Sequence, residues 1–163
     1  MNSKKHAIET LRFAHDMLNK MIDGVPADKA LHQPHATSNH VVWTLGHLAA
    51  TYAWFCTLTD PKAAPNLPDS YNGLFGMGSK PLPDAGKYPP LAELRKNYDT
   101  AFSAFAKTVE ALGDGDCWSA CASDSGGFAS SKLDAAYKCA WHDGWHLGQV
   151  SDLRRALGLP PIM

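Results

Sequence analysis

No block of like charge interrupts this sequence. Its 163 residues carry 15 basic and 16 acidic side chains, a formal net charge of -1. A protein that neutralises phosphates needs a basic stripe, so nucleic-acid binding loses its main electrostatic support. No run of about 18 apolar residues occurs, which argues against a membrane-spanning helix. The first residues, MNSKKHAIETLRFAHDML, place Lys4 and Lys5 before alternating polar and apolar positions. They lack the continuous apolar stretch of a signal peptide. Cysteine is sparse, at Cys56, Cys117, Cys121 and Cys139. A cytoplasmic location is expected, and with it four reduced thiols rather than bridges. Internal repeats and low-complexity tracts are absent.

What remains is an ordinary globular composition, 45% hydrophobic and 19% charged. It is long enough for one domain over residues 1–163 with a sizeable core. The pattern is helical throughout. Ile8, Leu11, His15, Leu18 and Ile22 recur three and four apart and predict a helix over Ser3–Asp23, stopped by Gly24 and Pro26. Val25–Thr37 is a connector holding His32 and His35. His40 opens the next helix, and exposed or capping roles are expected for all three. Ser38 or Asn39 is the expected N-cap of that second helix, which runs to about Leu58 before Asp60-Pro61. A third helix is predicted from Leu91 to Leu112. Asp116–Ser130, rich in Ser, Gly and Ala, reads as loop. A fourth helix begins at Ser130 or Ser131, where Ser131 and Asp134 resemble a capping box. It ends at Gly158 with Pro160 just beyond.

Between the second and third helices, Pro61–Pro90 holds seven prolines and four glycines. A connection this long seldom lacks a use in a compact domain. Tyr71, Leu74, Phe75, Met77 and Tyr88 suggest a packed crossover covering one end or side of a bundle; the alternative is a partly disordered insertion.

Histidine is where the sequence becomes unusual. On the last helix His142 and His146 sit four apart, hence on nearly the same face. With Cys139, Gln149 and Leu153 they form one stripe. Two imidazoles and an amide among apolar neighbours suit a metal better than a core. His47, midway along the second helix beside its apolar seam, is the best third ligand. Three neutral imidazoles would leave a divalent ion with open positions, a catalytic kind of site for water or a thiolate. His15 is either a buried histidine bonded to a neighbour or a further residue of that pocket. Cys139 is either a fourth ligand, which would close the site, or a small hydrophobe. Cys117 and Cys121 lack a second pair and read as free thiols. HDGWH brushes against the zinc-protease H-E-x-x-H, but Asp143 is shorter than glutamate and Gly144 suits that helix poorly. Trp141 and Trp145 either wall the pocket or, as expected, pack between helices. Ala140, Gly144 and Gly148 make a line of small residues that would let another helix approach, within the bundle or across a dimer.

The whole chain resembles the DinB/YfiT-like superfamily of metalloenzymes. The resemblance rests on VVWTLGHLAATYAWF around His47, on FGMGSKPLPDAGKYPPLAELRKNY leading into the third helix, and above all on HDGWHLGQVSDLRRALGLPP. Only Asp116–Ser130 matches little. The resemblance implies an all-α four-helix bundle, up-down-down-up, whose long crossover joins helices 2 and 3. It implies a divalent metal (zinc, nickel, iron or manganese) on His47, His142 and His146, with Gln149 near the site. It also implies a homodimer and a small-molecule substrate, in a family that includes transferases and isomerases using low-molecular-weight thiols. An enzyme activating water or a thiol on the metal is therefore the leading expectation, with Gln149, His15, Asp143 and Cys139 in or behind its pocket. The alternatives are a non-catalytic metal- or ligand-binding helical dimer, and a plain helical scaffold.

Overall fold

Val41–Thr59 is apolar on nearly every side, and such a helix must be covered on nearly every side. The computed structural model, which describes residues 3–162, buries it in this way. The two first residues and Met163 of the expected domain lie outside the described residues. Five helices occur among them: α1 (Ser3–Asp23), α2 (Val41–Thr59), α3 (Ser70–Phe75), α4 (Leu91–Ala111) and α5 (Lys132–Ala156). No strand is present among the described residues. Four of the helices are long. α2 packs most extensively on α4, and α1 on α5, while α2 also meets α5 and α3. By length and composition alone α2 could cross a membrane, although polar residues interrupt its apolar run. However, 67% of its most apolar window is buried inside the protein, so its hydrophobicity already has a use in the core.

The helix ends follow local chemistry. α1 starts and stops where its periodicity predicts. α2 does not begin on Ser38 or Asn39. His40 is its N-cap, fully buried, and its Nδ1 accepts from the Trp43 backbone N–H at 3.0 Å. Asn39 is committed elsewhere: its amide donates to Gln149 Oε1 at 2.9 Å. His35 is exposed and His32 half-buried. Ser131 caps α5 as expected, accepting from Asp134 N. Asp134 returns its carboxylate to the backbone N–H of Ser130, one residue beyond the usual box. At the far end Gly158 has φ 70°, with Leu159 N–H bonded to the Arg154 carbonyl and Gly158 N–H to the Arg155 carbonyl. That pair of bonds is a Schellman closure, which needs a left-handed residue and finds glycine there.

The crossover is packed, as the aromatic content of Pro61–Pro90 suggests. It contains α3, whose Tyr71 and Phe75 are fully buried, whereas Met77 is fully exposed. Asn97 of α4 donates to the Tyr71 hydroxyl at 2.7 Å, tying the crossover to the bundle. The loop 116–130 is tied too, with Ala122 N–H donating to the Leu58 carbonyl and Leu133 N–H to that of Cys117. All four cysteines are free.

Candidate metal centre

α2 and α5 lie side by side, and each turns imidazoles toward the other. His47 comes from the middle of α2; His142 and His146 come from successive turns of α5. The Nε2 of His142 lies 3.3 Å from the Nε2 of His47 and 3.3 Å from that of His146. One ligand atom from each of the three lies within 4.8 Å of the others, and no other such cluster occurs among the described residues. An open groove lies elsewhere, along α4 by Asp60, Asp99 and Lys107.

Two of the rings are oriented from behind. His47 Nδ1 is 2.8 Å from the Phe75 carbonyl oxygen, and His146 Nδ1 is 2.9 Å from Gln149 Oε1. Both partners are acceptors, so each Nδ1 carries the proton and each Nε2 presents a lone pair. That fixed tautomer is what a carbonyl or amide oxygen behind a metal-binding histidine provides. Asn39 in turn holds Gln149. Trp43 stacks on His47 with ring centres 4.5 Å apart and planes 9° apart. Only His142 lacks such support: its Nδ1 is buried without a partner.

The electrostatics agree. Burial pushes the His146 imidazole down to about 3, helped by the neighbouring His142 and His47. Burial and then His47 bring His142 down to about 4, and burial lowers His47 against the pull of the Phe75 carbonyl. All three are therefore neutral near pH 7, the form that binds cations. A tetrahedral ion with metal–nitrogen bonds of about 2.0–2.1 Å spaces its ligands about 3.3–3.4 Å apart. The two Nε2 separations match, so the residues present fit a divalent ion.

The other residues singled out from sequence fall elsewhere. His15 is buried in α1, its Nδ1 3.2 Å from the Tyr52 hydroxyl and 3.1 Å from that of Tyr98. Tyr52 donates to Asp143 Oδ1 at 2.9 Å. Asp143 is fully buried, and burial pushes its carboxyl well above the usual range. His15 and Asp143 thus belong to a polar chain in the core. Cys139 lies one turn before Asp143, fully buried, where burial raises its thiol well above the usual range. It is outside the imidazole cluster. On α5 the stripe thus divides: Cys139 packs in the core beside the Asp143 turn, whereas His142 and His146 meet His47.

Trp141 and Trp145 overturn the expectation of core packing. They are 55% and 56% exposed, edge to face with ring centres 5.2 Å apart. Nor do Gly144 and Gly148 admit a helix of this chain, since both are exposed and open space surrounds the position of a β-carbon. A residue that turns by 100° per step explains both results: with His142 and His146 facing α2, positions 141, 144, 145 and 148 point away from the bundle. The Phe75 carbonyl and Asn39 were not foreseeable from spacing, because both reach the site from outside the histidines' own helices.

A family model described as the DinB superfamily matches residues 10–150. No curated protein matches the chain.

Proposed function

The chain belongs to the DinB superfamily, and on that premise we propose that it is a metal-dependent enzyme whose divalent ion is held by His47, His142 and His146. The observation that carries this is the convergence of three Nε2 atoms, two of them on rings whose Nδ1–H is already spent on an oxygen. In this reading the long helices follow an up-down-down-up order, with the crossover spanning the second and third of them.

Bound there, a divalent ion supplies Lewis-acid charge that favours the anionic form of water or a small thiol at neutral pH. The protein's own groups prepare the place. The Phe75 carbonyl and Gln149 fix the ring tautomers, and burial keeps the imidazoles free of protons. Trp43 covers one face of His47. No carboxylate or thiolate enters the cluster, so the three ligands are neutral and leave the full charge of the ion for a substrate. This suits transfer to or from a thiol, or hydrolysis, of a small electrophilic substrate; zinc and nickel are the leading candidates among metals that accept imidazole.

The test is metal content in protein purified without a histidine tag, by mass spectrometry, with anomalous scattering to place the ion. About one ion per chain between α2 and α5 is expected. Folded wild-type protein that neither contains nor takes up zinc, nickel, iron or manganese would refute the reading.

The exposed face of α5 supports a second element of it, a homodimer. Trp141, Trp145, Gly144 and Gly148 lie together there, exposed, and open space surrounds the β-carbon position of both glycines. Large aromatic side chains beside bare glycine surface offer both buried area and close approach to a second helix. Sedimentation is expected to give twice the 17.6 kDa of the chain, and Trp141→Glu with Trp145→Glu to halve it. A wild-type monomer at concentrations of about 100 μM would exclude a dimer of ordinary affinity.

A further inference from the structure

The crossover does more than cover the bundle, because it meets α2 along the turns that carry His47. Phe75 is the last residue of α3, and the carbonyls of a last turn have no partner within their own helix. Its carbonyl takes the His47 Nδ1–H at 2.8 Å. Four residues on, Ser79 accepts from Trp43 Nε1 at 3.1 Å, and Trp43 is the ring stacked on His47. Further along, the Leu82 carbonyl lies 3.0 Å from Nε2 of His40, the cap of α2.

What seats this segment is a hole in α2. Gly46 adjoins His47, and a β-carbon built on it would lie 2.4 Å from Cε1 and Cζ of the Phe75 ring and 2.5 Å from Cδ1. The ring is fully buried, between Tyr71 and Tyr88 with centres 4.9 and 5.6 Å away. It cannot swing aside as an exposed side chain would. With the ring unable to swing aside, a clash is relieved by shifting the Phe75 backbone, which moves the carbonyl as well.

We propose that the crossover is a latch on the metal centre, with Phe75 as the positioning residue for His47 and Gly46 as the socket that holds it. Opening of the crossover frees His47 to rotate and to exchange tautomers, so the crossover's docking and metal affinity are coupled. This rests on the metal reading given above. His146, held through Gln149 by Asn39, stands outside the latch.

The experiment compares zinc affinity, by competition with a chromophoric chelator, in wild type, Gly46→Ala, Phe75→Ala and the double variant Gly46→Ala/Phe75→Leu. Fraction folded is measured alongside by circular dichroism. Losing the support behind one metal-binding histidine weakens binding by about 10- to 100-fold, and that is expected for Gly46→Ala and for Phe75→Ala. The double variant returns most of the loss, since a leucine vacates the space that the new methyl enters. Hydrogen exchange of the His47 Nδ1–H, followed by nitrogen NMR in the zinc-loaded protein, is expected to accelerate in Gly46→Ala while that of His146 does not. If Gly46→Ala does not fold, Phe75→Ala carries the comparison. Single variants that are folded and bind zinc as tightly as wild type overturn the latch and leave the metal centre standing. A wild type that binds no zinc, nickel, iron or manganese overturns the metal reading, and the latch with it.

Discussion

His142→Ala and His146→Ala are each expected to weaken zinc binding by about 100- to 1,000-fold. The size follows from dividing the binding free energy of a four-ligand structural zinc site, about 10–16 kcal/mol, among its ligands, which leaves about 2.5–4 kcal/mol for one imidazole. Both variants should remain folded. His142 is half-buried and makes its polar contacts only through Nε2 to the other two rings, and its Nδ1 has no partner to strand. His146 is more deeply set, and its removal also releases Gln149. His146→Ala should therefore lose more stability than His142→Ala while losing similar affinity. Gln149→Ala, which leaves all three ligands in place, should cost only about 10- to 100-fold. Isothermal titration with zinc on metal-stripped proteins checks the order. Equal, tight binding in all three variants would show that the ion sits elsewhere.

The parts of this protein that the sequence makes legible are those set by local spacing. Helix positions follow from apolar residues three and four apart, and α1 and α4 end within a residue of where that pattern stops. The four-residue spacing of His142 and His146 brings them together because one turn of helix does so whatever surrounds it. His47 is harder, since nothing local says that the middle of α2 faces α5 rather than α4; its place mid-helix beside an apolar seam suggests it, and the likeness to a family points to the same residue. What spacing could not show is which side of α5 the bundle covers. A stripe drawn through Cys139, His142 and His146 is wide enough to include both an edge packed in the core and an edge that meets His47, and the structure divides it between them. Trp141 and Trp145 were misplaced for the same reason: hydrophobic character argues for burial, yet their positions on the turn point outward. Asn39 shows a different failure. Its preference for helix N-caps is real, but His40 takes the cap, and an amide of that length reaches Gln149 across the helix interface.

Below pH 6.5, metal-stripped wild-type protein is expected to lose stability faster than His15→Asn, by about 1.4 kcal/mol for each pH unit down to about pH 4. Burial, and then the Arg95 charge, lower the His15 imidazole from 6.5 to about 3. Above pH 6.5 it is neutral in the folded and the unfolded chain alike and contributes no slope. Below 6.5 the unfolded chain takes up a proton that the folded chain refuses, so acid favours unfolding until the pH approaches 3. The three site histidines and the carboxylates add slopes of their own, but they are common to both proteins and cancel in the difference. Urea unfolding at pH 7, 6, 5 and 4 measures it. The outcome also decides how the core chain of His15, Tyr52, Tyr98 and Asp143 is charged. Burial disfavours the charged form of both end members, lowering one and raising the other. In that state Tyr52 joins two neutral groups, and no buried ion pair has to repay its desolvation. Parallel curves for the two proteins would mean the reverse: His15 keeping its proton inside the fold, with Asp143 ionised as its counter-charge through the Tyr52 hydroxyl.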